Sequence, residues 1–307
     1  MYSLAKEDSN LFKKPIISIS ILLIAFTILC SENENKTKPV ENKKEKFSVS
    51  EEVVAEVKSK YSHIKVADYG TLRQLYFVRD NGEEALESTI DTNYPQNLFL
   101  LYTQTMFSSF LINKEHKDTL LIGLGGGGMV HFLNYYFPYV NLDAVEIDPA
   151  IVEVAKKYFY LKPISSTKII TDDAVNFISL PGKNYDVIYM DAFLKPSSET
   201  DSTGVANKFK APTFLQRLKS RLKKNGIVVF NINNHEKMQE DIKTIQTEFP
   251  QVYFFQKNRA GNLIVIGSTD STRVPIDKLI SIGADLDKNH KVNFSFKDIA
   301  GYYLEKF

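Results

Sequence analysis

Leu121-Ile122-Gly123-Leu124-Gly125-Gly126-Gly127-Gly128-Met129, followed by Asp143-Ala144-Val145-Glu146-Ile147-Asp148-Pro149, decides the fold of this 307-residue chain. In the first stretch an apolar run stops at consecutive glycines and a helical pattern begins at Met129. Glycine there permits a sharp turn and lets a ligand approach the backbone, where amides at a helix N-terminus favour a negative or polar group. In the second, an apolar run ends on Glu146, eighteen residues after Gly128. A carboxylate at the carboxyl end of a strand can accept both hydroxyls of a ribose, as in Rossmann-like nucleoside sites. Asp148 before Pro149 reads as a helix cap, not a ligand. Taken alone, the glycines are weak evidence, with a purely structural turn as the lesser reading, and no Gly-Lys-Ser/Thr follows to make a P-loop. The two motifs together are far more specific than either.

Outward from this pair, short apolar runs alternate with helical segments, the pattern of crossover units and a parallel sheet. Strands are expected at 119–123, 140–146, 168–171, 186–190 and 226–231. Helices are expected at 129–136, 149–159, 174–178, 212–223 and about 236–249, with Lys223-Lys224-Asn225-Gly226 as a helix end and turn. The runs 252–256 and 262–267 flank Lys257-Asn258-Arg259-Ala260-Gly261 and read as an antiparallel hairpin. Five parallel strands closed by such a hairpin give the seven-stranded sheet of the class I methyltransferase variant of the Rossmann-like α/β fold; the dinucleotide-binding variant has a parallel sixth strand. Upstream, 64–69, 72–78 and 85–90 read as short strands, with Asn81-Gly82 as a turn, forming a small N-terminal β element. Residues 98–111 read as one helix leading into the main sheet.

With 43% hydrophobic and 24% charged residues the chain can bury a full core. Its 38 basic and 37 acidic side chains leave no electrostatic footprint for nucleic acid. The single cysteine, Cys30, excludes an intrachain disulfide and a cysteine-rich metal site, and the histidines show no metal-ligand spacing, so no metal is expected.

Residues 1–30 are a different material. Lys13-Lys14 precede a neutral, mostly apolar run, 15–29, that closes on Cys30. The run has the length of a signal-peptide core and is short for a spanning helix, which needs about 20 apolar residues. A cysteine in this place resembles the lipidation site of bacterial lipoproteins, although Ile28-Leu29 departs from the small residues usual before it. An uncleaved anchor and a buried N-terminal helix are the other readings. Association with a membrane through the N-terminus is expected, and the flanking lysines do not fix the side. Residues 31–60, rich in Lys, Glu and Asn, read as a charged flexible linker. The β element then occupies 61–92 and the main domain 93–307.

Two more acidic residues end strands. Asp173, in Thr171-Asp172-Asp173-Ala174, can accept from an adenine amine; Asp172 serves equally, and a plain helix cap is the competing reading. Asp191 ends the apolar strand Tyr185-Asp186-Val187-Ile188-Tyr189-Met190, at the edge where open α/β sheets place ligands and chemistry. Residues 195–210, polar and long for a strand-to-helix connection, read as an acceptor-site lid or as a surface insertion.

This order of motifs, with Tyr185-Asp186-Val187-Ile188 and Lys224-Asn225-Gly226-Ile227, resembles the spermidine synthase family, polyamine aminopropyltransferases on the class I methyltransferase fold. The likeness runs from about 69 to 232. It implies a donor of the S-adenosylmethionine type over Gly123, Gly125 and Gly127, with Glu146 on the ribose, Asp173 on the adenine and Asp191 at the attacking amine. It also implies a substrate segment at Tyr94-Pro95-Gln96; with Tyr102 these would line the acceptor pocket, although core packing explains the tyrosines too. A dimer is plausible by the same likeness.

Two departures bear on the reaction. The family's glycine run carries an aspartate for the ammonium of decarboxylated S-adenosylmethionine, and this chain has Gly126. The family's catalytic segment has a second aspartate three residues after the first, and this chain has Leu194. Both favour ordinary S-adenosylmethionine and methyl transfer to a small amine or other nucleophile, with aminopropyl transfer as the alternative. A dinucleotide-dependent oxidoreductase would share the glycines and Glu146 but leaves Asp173 and Asp191 without a role. A non-catalytic, membrane-tethered binding protein is the third reading, because an exported enzyme would be separated from a donor made in the cytosol.

Overall fold

A computed structural model of the chain describes residues 50–259 and 261–307. The leader, Cys30 and the first part of the charged linker lie outside the described residues. The linker ends earlier than residue 60, because Glu52–Lys58 forms a strand, β1, in which half-buried Ala55 and Val57 alternate with exposed Glu56 and Lys58 after an irregularity at Val54. It pairs antiparallel with β2 (His63–Tyr69), which continues to β3 (Leu72–Val78) and β4 (Glu84–Asp91) as a four-stranded sheet.

The expected helix over 98–111 is two short ones, α1 (Leu101–Met106) and α2 (Ser109–Ile112). Thr103 and Thr105 turn their hydroxyls back onto the carbonyls of Leu100 and Leu101, which weakens a helix. Ser109 is drawn inward by the Tyr189 hydroxyl at 2.6 Å.

Crossover units follow as the sequence predicts: β5 (Asp118–Ile122), α3 (Gly128–Tyr136), β6 (Asn141–Glu146), α4 (Pro149–Tyr158), β7 (Thr167–Thr171), α5 (Ala174–Ser179) and β8 (Tyr185–Met190). Then come α6 (Pro212–Ser220), β9 (Leu222–Ile232), α7 (Met238–Glu248), β10 (Gln251–Phe255) and β11 (Leu263–Ser268). Helix α6 stops short of the expected 223. Leu222 already pairs with Tyr185 across from β8, and residues 223–226 bulge out of the ladder, with Asn225 left-handed at φ 60°.

The chain ends with α8 (Ile276–Asn289), α9 (Phe296–Ala300) and a short β12 (Tyr303–Leu304). Because β12 pairs with β10, the main sheet has eight strands instead of seven, in the order β12-β10-β11-β9-β8-β5-β6-β7. The five strands β5 to β9 run parallel, and β10 and β11 form the expected antiparallel closure.

Alternation along the central strands builds two cores. Leu121, Val187, Tyr189, Ile227 and Val229 face α3, α4, α8 and the N-terminal sheet. Leu120, Ile122, Ile188, Met190, Val228 and Phe230 face α5, α6 and α7. Both faces of the sheet are thus covered, as a parallel sheet requires, and its carboxyl edge is left for a site. Among the described residues no helix is long and apolar enough to cross a membrane.

Candidate active site

The carboxyl ends of β5, β6, β7 and β8 open into one cleft of ≈ 1080 Å³. Gly123, Gly125, Glu146, Asp173, Asp191 and Tyr102 all line it. Gly127 does not; it caps α3 in the left-handed conformation, at φ 77°. Tyr94 and Gln96 are also absent from the wall. The turn in which Tyr94 N–H bonds the Asp91 carbonyl carries the chain over the outside of the molecule, and Tyr94 is 56% exposed. Placing these two at the acceptor pocket is therefore corrected, and Tyr102 alone of the three reaches it.

Glu146 is buried at the end of β6. Its Oε2 accepts the Leu124 N–H and its Oε1 the Asp148 N–H, each at 2.9 Å, so the carboxylate clamps the start of the glycine loop to its own strand. A carboxylate oxygen has a second lone pair, which leaves both oxygens able to receive the hydroxyls of a vicinal diol. Burial raises its pKa, and the amide bonds from Asp148 and Leu124 oppose that shift. Asp148 is the cap the sequence predicts, accepting Ala150 N–H at 2.9 Å.

The glycines set the loop's closeness to its neighbours. A Cβ on Gly123 would stand 2.0 Å from the Asp191 carbonyl oxygen, so glycine is what lets β5 and β8 end side by side. A Cβ on Gly126 would stand 2.6 Å from the Phe159 ring. Gly126 N–H is bonded to Ser88 Oγ at 2.9 Å, which ties the loop to β4.

Asp191 follows β8, and its Oδ1 accepts the Asn231 amide at 2.8 Å. Asn231 in turn accepts from Asn262 at 2.8 Å, and the same Asn262 amide reaches Asn233. This chain of amides, from β9 and the residue before β11, holds one carboxylate oxygen in place. Burial pushes Asp191 up to about 6, against the Asn231 bond, which lowers it. Asp173 keeps both of its readings: it caps α5 through Val175 N–H at 2.8 Å and pairs with Lys208 at 2.6 Å, while still on the cleft wall.

Four features had no place in the sequence reading. Glu87 and Ser88 reach the cleft from β4, and Lys208 and Phe209 from the 195–210 segment. The amides at Asn231 and Asn233 did carry a signal, since they end an apolar strand as Asp191 does.

The last feature is a cluster of Asp201, His235 and Asp241, whose ligand atoms lie within 4.8 Å of one another although far apart in sequence. Lys210 Nζ stands among them, at 2.6 Å from Asp201, 2.7 Å from Asp241 and 3.0 Å from His235 Nε2. The ammonium pins the end of the 195–210 segment to α7 and to the loop after β9. Removing one partner from such a pair leaves uncompensated charge. Lys210→Met is therefore expected to lower stability by about 3 kcal/mol in denaturant unfolding; a change below about 0.5 kcal/mol would show the cluster to be solvated and idle.

Comparison with known proteins agrees with the architecture. The profile of the spermine/spermidine synthase domain matches residues 100–264. A polyamine aminopropyltransferase of Vibrio vulnificus is 27% identical over 83% of this chain and 81% of its own length. An eEF1A lysine and N-terminal methyltransferase homolog of Drosophila melanogaster is 30% identical over 50% of this chain, but the match spans only 24% of that protein. Among solved structures, human methyltransferase-like protein 13 in complex with SAH superposes with a TM-score of 0.58 at 22% identity, over 62% of this chain and 92% of that one.

Proposed function

Because the chain belongs to the spermine/spermidine synthase family, whose domain spans residues 100–264, we propose that it is a transferase that moves a methyl group from S-adenosylmethionine to a nucleophile held in the cleft. The observation that carries this reading is the glycine loop. It has no carboxylate to receive a donor ammonium, and a side chain at Gly126 would run into Phe159. Backbone amides where α3 begins suit a donor tail that keeps its own carboxylate.

Bound in the cleft, the donor would supply a carbon activated by an attached sulfonium. The protein's part is position: Glu146 grips the ribose, Asp172 and Asp173 stand at the base, and the loop carries the tail. Asp191 orients the incoming nucleophile and takes its proton as the new bond forms. Phe209 and Lys208 cover the cleft from the 195–210 segment and keep water out, which gives that segment a lid's role.

Calorimetry with the two donors tests the choice. S-adenosylmethionine is expected to bind at least about tenfold more tightly than its decarboxylated form. Aminopropyl transfer is the second reading, favoured by the Vibrio vulnificus relative that aligns over most of both chains. Tighter binding of the decarboxylated donor, with turnover only in its presence, would put that reading first.

Membrane attachment through residues 1–30 belongs to the proposal as an uncleaved anchor that keeps the domain beside its donor; lipidation at Cys30, which follows export, belongs to the non-catalytic, tethered reading. Protease added to intact cells is expected to spare the domain if it faces the donor's compartment. Its digestion would instead favour the non-catalytic, tethered reading.

A further inference from the structure

Charge is sorted along the strands of the main sheet, although the chain as a whole is nearly neutral at +1. The cleft at the carboxyl edge is walled by carboxyl side chains from β4, β6, β7 and β8, with Lys208 as its one basic side chain. At the amino edge the sign reverses. The connections entering β5 and β7 and the bulge that begins β9 hold exposed Lys114, Lys117, Lys162 and Lys224, with Glu115 as the exposed acid among them. The ion pairs of this edge are made by other lysines, Lys183 and Lys223, which bridge Asp118, Asp143 and Asp186.

The same edge carries large apolar side chains at its tips. Tyr139 before β6, Ile164 before β7 and Leu180 before β8 are 57%, 40% and 62% exposed. One such side chain is ordinary on a soluble surface. These three stand on connections whose strands lie side by side in the order β8-β5-β6-β7, so the lysines of the β5 connection fall between them. Strands about 4.8 Å apart put the row within about 15 Å. The connections are also tied together: Asn141 N–H donates to the Lys117 carbonyl at 2.7 Å, and Leu142 N–H to the Ser166 carbonyl at 2.8 Å. Each apolar tip adjoins an exposed proline, Pro138, Pro163 or Pro181, whose fixed φ leaves little to be ordered when the surface is covered.

Apolar tips set among lysines match a lipid headgroup layer, where tyrosine sits at the interface and lysine meets anionic lipid. A nucleic acid would engage the lysines alone and leave Ile164 and Leu180 in water. We infer that the amino edge of the main sheet docks on an anionic lipid bilayer and so turns the cleft away from the membrane. The inference deepens the membrane reading of residues 1–30, on which it rests for a tether alone. Residues 30–49 separate the apolar run from the start of the domain, and fully extended they span about 70 Å. That length brings the domain to the surface without selecting a face. The lysines and the apolar tips select it, and the acidic cleft, repelled by the same surface, stays open to solutes.

The test is lysine acetylation of the full chain, read residue by residue in mass spectra, on vesicles of phosphatidylcholine alone and on vesicles with about one-third phosphatidylglycerol. Each lysine near an anionic surface strengthens attachment about fivefold. Lys114, Lys117, Lys162 and Lys224 are therefore expected to react at least about fivefold more slowly on the anionic vesicles, while Lys195, on the cleft side, is unchanged. About 1 M salt, which screens charges within about 3 Å, is expected to remove the shielding. The double variant Tyr139→Ser, Leu180→Ser keeps every lysine to be read and is expected to lose most of it. Equal reactivity on the two vesicles, shielding of Lys195 instead, shielding by RNA without any by lipid, or shielding that grows with protein concentration in the absence of vesicles would each overturn the inference, the last by making a second copy the partner. Flotation of the same samples separates the tether from the face. A chain that floats with both vesicles and shows no shielded lysine keeps its anchor and loses the docking surface; one that floats with the anionic vesicles alone, with these lysines shielded, keeps the docking surface and loses the anchor.

Discussion

Replacing Asp191 by asparagine is expected to stop group transfer and, at the same time, to make the protein harder to unfold. The two effects share one cause. Asp191 is pushed up to about 6 by burial, from an ordinary value of 3.8. A carboxyl whose folded-state pKa is raised binds its proton more tightly when folded, so its ionised form works against folding. That penalty is absent near pH 4, grows as the pH rises to about 6, and is constant above. The full shift would convert to about 3 kcal/mol, and the group's open side toward the cleft screens it to about 2 kcal/mol.

Asparagine removes the charge and keeps an oxygen for the Asn231 amide, which bonds only one of the two aspartate oxygens. Asp191→Asn should therefore gain about 2 kcal/mol in unfolding experiments at pH 7.5 and almost nothing at pH 4. Transfer should fall by about 10² to 10⁴, the usual contribution of a positioned general base. In the wild type the rate should rise with pH through about 6, as Asp191 ionises. A variant that is both active and no more stable at pH 7.5 would remove Asp191 from the chemistry and from the buried state together.

Much of this site is legible in the amino-acid sequence alone, and the reason is local. Gly123 to Met129, Glu146 and Asp191 each stand where a strand ends, and strand ends are marked by short-range signals: an apolar run, then glycine or a carboxylate. The hairpin of β10 and β11 was equally plain from Lys257 to Gly261. What escaped depended on distant partners. The bulge that turns Glu87 inward is a mismatch of register between β3 and β4, and neither strand shows it alone. Lys210, Asp201, His235 and Asp241 gather from two connections and a helix, so no sequence spacing announces them. Strand β12 is two residues long and exists because β10 offers it an edge. The early end of α6 has the same origin, since Leu222 is claimed by Tyr185 in the ladder. Tyr94 failed for the opposite reason: a tyrosine next to Pro95 looks like a site, while the turn that holds it faces water.

Glu146 carries the second large effect, and it runs against the Asp191 result. Glu146→Ala is expected to weaken S-adenosylmethionine by at least about 100-fold, because charged hydrogen bonds to both ribose hydroxyls vanish and each contributes about 1.5 to 3 kcal/mol. The isosteric Glu146→Gln should rescue little. Here both carboxylate oxygens already accept backbone amides, from Leu124 and Asp148, so the amide nitrogen of glutamine would face an N–H donor with no acceptor between them. One of the two loop bonds must break, and the buried N–H left behind costs about 1 to 3 kcal/mol. Neutralising position 146 is therefore expected to loosen the glycine loop and lower stability, whereas neutralising position 191 raises it, although burial lifts the pKa of both carboxyls. The measurement is a pair of unfolding curves at pH 7.5 beside donor titrations of the same variants. Should Glu146→Gln bind S-adenosylmethionine as the wild type does, the carboxylate is a structural clamp for the loop, and the ribose is held by something else.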